Sequence, residues 1–181
     1  MLQITVPSGE YWDEIKEEFV STKGQTLQLE HSLVSISKWE AKWGKAFLGK
    51  EPKTAEQAMD YIRCMTITQN VDPAIYGNLT PDNYRQINEY IEAPMTATHF
   101  STDSRTSGRT KDTITAELIY YWMIAFNIPV EFQKWHLNRL LTLIRVCDIK
   151  NSPPKKMGKR ELMQKNSALN AARRARMNSK G

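Results

Sequence analysis

The sequence predicts a mainly helical α+β fold: about five helices, a short amino-terminal β-hairpin and a basic carboxy-terminal helix or tail. Three observations predict it. Apolar residues alternate with polar ones near the start, recur at helical spacing from residue 37 to about 150, and thin out beyond 151, where Lys and Arg gather. These shifts set the boundaries: a strand segment at 1–36, a helical core at 37–150 and a basic tail at 151–181. A chain of 181 residues can bury a core without disulfides or metals.

The elements follow in order. Leu2, Ile4 and Val6 alternate with polar residues, as in a half-buried strand closed by Pro7-Ser8-Gly9. "EYWDEIKEEFV" (10–20) is acidic and fits a hinge, a short helix or a second hairpin strand. Lys23-Gly24 marks a turn, after which Leu27, Leu29 and Leu33 resume the alternation, with His31 at the matching position. Ser37-x-x-Glu40 reads as a capping box opening the first helix, in which Trp39, Trp43, Ala46 and Phe47 share a face and Gly49 stops the run. Thr54-x-x-Gln57 repeats the device before Ala58, Ile62 and Met65. Thr80-Pro81 starts a third helix, striped by Tyr84, Ile87, Tyr90 and Ile91 and ended by Pro94.

"STDSRTSGRTKDT" (101–113) holds no apolar residue and reads as a mobile surface loop. Residues 116–126 are apolar nearly all round, which predicts a helix at the centre of the core. Asn127-Ile128-Pro129 turns the chain into a helix over roughly 130–149, striped by Leu137, Leu140, Leu141 and Ile144. So short a connection predicts an antiparallel helical hairpin. Asn151-Ser152-Pro153-Pro154 is a clear stop.

Charge is unevenly shared. Residues 151–181 hold nine Lys/Arg against Glu161 alone, a net of +8, whereas residues 1–150 hold 16 Lys/Arg and 19 Asp/Glu, a net of −3. Basicity belongs to one segment. Cys64 and Cys147 lie in apolar helical settings and read as free buried thiols. Met1 leads straight into alternating sequence, with no basic region followed by an apolar one, and the longest apolar run covers about half a membrane span. A cytoplasmic protein that does not cross a membrane is the expectation.

Catalytic and metal-binding patterns are not found. His31, His99 and His136 form no H-E-x-x-H or C-x-x-C…H arrangement, and neither cysteine sits in a nucleophile signature. "SGRTK" (107–111) has the residue types of a phosphate loop but not its frame. The paired acids of 10–18 suit a solvated face better than general acid–base work, which needs an enclosed carboxyl. The sequence therefore predicts no enzyme, no cofactor and no metal. Trp39 and Trp43, spaced i, i+4, fit either a core face or, if exposed, a protein-binding groove.

The tail, closing on "ALNAARRARMNSKG", leaves three readings open. As a nucleic-acid arm, its basic residues would neutralise phosphates, with Lys155, Lys156, Lys159 and Arg160 as further contacts, but 151–181 lacks the aromatics that stack on bases. As a protein handle, Ala171, Ala172 and Ala175 permit close packing while Arg173, Arg174 and Arg176 pair with carboxylates. The third reading is a solvated tail. The residues selected for docking are Trp39, Trp43 and Phe47 with those three arginines.

Three stretches, "LEHSLVSISKWEAKW" (29–43), "YYWMIAFNIPVEFQKWHLNRLLTLIRVC" (120–147) and "PPKKMGKRELMQKNSALNAARRARMNSKG" (153–181), resemble small proteins of the tail-assembly gene block of long-tailed bacteriophages, and among these the tail assembly chaperones. The resemblance implies a small, helical, non-enzymatic holdase that coats the tape-measure protein until the major tail protein polymerises around it. It places the protein in the host cytoplasm during infection. It also implies production in two lengths through a ribosomal frameshift, and it carries over no residue-level active site. A minor structural protein of the virion, or a protein binding nucleic acid nonspecifically through its tail, fits the same charge pattern.

Overall fold

The computed structural model describes residues 1–13, 17–100, 113–152 and 158–177. The fold is mainly helical with an amino-terminal β segment. The predicted loop at 101–113 lies outside the described residues, apart from Thr113. Two compact units are present, Met1–Asp148 and Ile149–Gly181.

The amino-terminal strands form one long hairpin in two halves. Strands β1 (Leu2–Val6) and β4 (Gln25–Leu29) pair antiparallel, as do β2 (Gly9–Asp13) and β3 (Glu18–Thr22). Both ladders share a register: counting three residues along each strand from the Val6–Gln25 pair reaches the Gly9–Thr22 pair. The break falls at Pro7, which has no N–H to give a ladder. Lys23-Gly24 is thus the point opposite Pro7-Ser8 and not a hairpin turn, and "EYWDEIKEEFV" supplies both strands of the outer half. Gly9 permits a close approach, since a Cβ there would sit 2.5 Å from the Asn78 side chain.

Ile4, Val6, Leu27 and Leu29 face the same core as the helices, so strand segment and helical core form one body. β4 is the inner strand. Its far edge meets the chain after α2 (Ala55–Met65), with Glu30 N–H donating to Met65 O at 2.9 Å and Ile67 N–H to Gln28 O at 2.8 Å. On the other side, Asn83 at the start of α3 (Pro81–Glu92) donates to Thr5 O of β1 at 3.2 Å.

Local capping explains where α2 and α3 begin. Thr54 and Thr80 each accept the N–H three residues on, and Gln57 and Asn83 return the bond, as the sequence predicts for Thr54. The first helix differs from expectation. α1 spans Leu33–Trp43, capped by Ser32, whose hydroxyl accepts from Ser35 N while the Ser35 hydroxyl accepts from Ser32 N. Ser37 lies inside it, and the stop is Gly44, left-handed at φ 60°, not Gly49.

α1 packs against both α2 and α4 (Ala116–Ala125). α4 is not central. Ala116, Ile119 and Met123 bury one face, while Tyr121 is 63% and Ile124 76% exposed. Nor do α4 and α5 (Leu137–Asn151) form a tight hairpin: residues 126–136 intervene, including a 3-10 turn at Val130–Lys134 where a continuous helix is predicted. Leu137, Leu140 and Ile144 of α5 enter the core. Cys64 and Cys147 are free and half-buried.

The second unit contains α6, Lys159–Met177. Every α6 side chain that the structure describes is exposed, including Leu162, Met163, Leu169 and Met177. No helix among the described residues is long and apolar enough to cross a membrane.

Candidate protein-interaction surface

The aromatic stripe of α1 turns inward. Trp39 is 1% exposed and donates its indole N–H to Gln57 O at 2.8 Å. Phe47 is 8% exposed, its ring edge-on to Trp39 at 5.2 Å and 4.0 Å from the Tyr61 ring. Trp43 is half-buried, with its indole N–H on Asp60 Oδ2 at 3.0 Å. The docking face expected at these positions is therefore core, because α2 lies against the stripe and offers an acceptor to each indole.

Asp60 is the hinge of that contact. Its other oxygen accepts from Lys42 Nζ at 2.5 Å. Burial raises the Asp60 pKa, but the hydrogen bonds from Lys42 and Trp43 outweigh it and hold the carboxyl below the usual range.

Beyond Gly44 the chain folds into a loop, residues 44–53, that covers Trp39. Lys53 Nζ donates to Phe47 O at 2.8 Å and lies 4.2 Å from the Phe47 ring centroid, a cation–π contact. Partial burial lowers the Lys53 pKa. Glu40, buried in α1, fastens the loop from beneath: Oε1 accepts the Phe47 N–H and Oε2 the Ala116 N–H, each at 2.7 Å. Between loop and Ile114 opens a cleft of about 850 Å³, with Lys45, Lys50 and Lys53 on its wall. Sequence reasoning missed this loop. Its signal was three lysines and two glycines packed between two helices.

The histidines lie elsewhere. His31 is buried at the end of β4, where its Nδ1 meets the Tyr61 hydroxyl at 2.5 Å and its ring lies 5.1 Å from that of His136. His136 Nε2 in turn meets Tyr90 O at 2.9 Å. Burial, with the nearby His136 second, pushes His31 down to about 4. Burial also lowers His136. Tyr61 is pushed up by burial and keeps its proton, so its hydroxyl and the neutral His31 ring share a hydrogen bond without an ionic charge on either. Together with the Leu137 N–H on His31 O at 2.7 Å, these contacts join β4, α2, α3 and α5. Among the described residues, no three His, Cys, Asp or Glu side chains gather as a metal ion would require.

The arginine half of the expected surface sits on α6. Arg173, Arg174 and Arg176 are exposed in its last turns, and Arg160 is exposed in its first. Lys155 and Lys156 lie outside the described residues, as does the side chain of Lys159. Of the predicted set, the aromatics belong to one compact unit, where Trp39 and Phe47 are buried, and the arginines belong to the helix of the other. Compared with known proteins, the chain matches no family model, no curated protein and no solved structure.

Proposed function

We propose that this chain is a non-enzymatic assembly protein that docks on a helical partner through α6, and that it acts as a tail assembly chaperone with the tape-measure protein as its client. The observation that carries the docking step is the exposure of the whole described α6 surface. A helix of 19 residues that buries none of its own large apolar side chains is marginal alone. Leu162, Met163 and Leu169 then supply apolar contacts to a partner, and Arg173, Arg174 and Arg176 supply bidentate pairs with its carboxylates. The choice of a phage tail client rests on the resemblance of residues 29–43, 120–147 and 153–181.

The test is co-expression with the products of neighbouring tail genes, affinity purification at moderate salt and mass spectrometry of what is retained. Retention of a long helix-rich protein together with absence from purified particles supports the chaperone. Recovery of nucleic acid alone, lost at higher salt, replaces it with the phosphate-binding reading of the tail. Presence in the finished particle replaces it with a virion component.

A further inference from the structure

We propose that the cleft between the loop 44–53 and Ile114 binds an acidic protein segment that inserts an apolar side chain. The inference goes beyond the α6 reading, since it uses a different surface with its own chemistry. The cleft, about 850 Å³, is half open to solvent, a shape that suits part of an extended segment better than an enclosed small molecule. Its lining divides by kind. Leu48, exposed, and Ile114, half-buried, are its accessible apolar residues, with Trp39 buried beneath, and Lys45, Lys50 and Lys53 also line it. Glu51 is the acid among the lining residues, and it pairs with Lys45 at 3.5 Å. Among the described lining residues, two lysine charges remain in excess.

The walls are built before any ligand arrives. Gly44 makes the left-handed turn out of α1, Gly49 N–H donates to Ala46 O at 3.1 Å, and Lys53 reaches back to Phe47 O. Glu40 ties the loop and the start of α4 to one carboxylate. Preorganisation of this kind lowers the ordering cost of binding. An acidic peptide with an apolar anchor complements the site in sign and shape. Nucleic acid fits it less well, because the Trp39 and Phe47 rings are buried and offer bases no face on which to stack. Nor is the chain's own tail suited to the cleft: with nine Lys/Arg and one Glu it carries the wrong sign.

The experiment uses the full chain and fluorescence anisotropy with a fluorescein-labelled peptide of repeated Glu-Leu-Leu-Glu. Oligoglutamate of equal length and an oligothymidylate serve as comparisons. The expected result is binding of the Leu-containing peptide in preference to both. Leu48→Asp should weaken it about tenfold by removing the apolar contact. Lys50→Glu should weaken it in the same direction, with added salt reducing the difference. Both positions are exposed, and circular dichroism checks the fold of each variant. Exchanging Arg173, Arg174 and Arg176 for Gln should leave affinity unchanged, which separates the cleft from attraction to the tail. No binding, equal binding of oligoglutamate or oligothymidylate, or binding lost with the tail arginines but not with Leu48→Asp or Lys50→Glu overturns the proposal.

Discussion

The Glu40 carboxylate accepts the backbone N–H of Ala116 at 2.7 Å, joining the interior of α1 to the first residue of α4 across 76 positions. A helix start leaves its first N–H groups without intrahelical partners. Thr115 satisfies one through its hydroxyl, and Glu40 satisfies another from a different element. A negative group there also complements the helix dipole. With its second oxygen on Phe47 N–H, Glu40 stands at the junction of α1, α4 and the cleft loop.

Glu40→Gln should therefore destabilise more than its size suggests. One carboxamide oxygen replaces two acceptors, and its NH2 meets an N–H that needs an acceptor. Urea unfolding should show a loss of about 3 kcal/mol. A loss within experimental error of zero would mean that Glu40 does not hold both amides.

Asp60→Ala removes the acceptor of Trp43 and of Lys42 together. The expected cost is about 2 kcal/mol. Asp60→Asn keeps an acceptor for the indole and should cost less. Urea unfolding of the two variants side by side checks the order.

The His31 site predicts a particular pH window. Its pKa falls from an ordinary 6.5 to about 4 on folding. Above 6.5 the ring is neutral folded and unfolded. Between 6.5 and 4 the unfolded chain takes up a proton that the folded chain refuses, so stability present above 6.5 is lost as pH falls through this range. The loss from this site at pH 5 is about 2 kcal/mol. His31→Gln should flatten that part of the profile. Asp60, whose carboxyl is held low, makes its loss at more acidic pH, so the two sites separate along the titration.

α4 allows a contrast between faces. Ile119→Ala empties a fully buried position and should cost about 2–5 kcal/mol. Ile124→Asp changes a side chain that is largely exposed and should alter stability by less than about 0.5 kcal/mol. Chemical denaturation of both variants would contradict the one-sided packing of α4 if the two losses were equal.

What could be read from the chain was what is local. The Thr54 cap is written within four residues, and the basic tail is a matter of counting charges. The start of α1 was missed because Ser32 and Ser35 satisfy one another with hydroxyls, a weaker pattern than Ser37-x-x-Glu40, while Glu40 is engaged by amides far along the chain. Spacing put Trp39 and Trp43 on one face but could not say which way the face points. That depends on Gln57 and Asp60 of α2 offering acceptors to the two indoles. For α4, an apolar composition all round hid the fact that only one side has neighbours in the core.

The central claim is that α6 docks on a protein partner, and amide hydrogen exchange along residues 159–177 tests it most directly. The account predicts rapid exchange in the protein alone and strong protection when the tape-measure protein is added, with the protection lost on exchanging Arg173, Arg174 and Arg176 for Glu. Exchange that stays rapid in the presence of that protein, or that slows only on adding DNA, would contradict it.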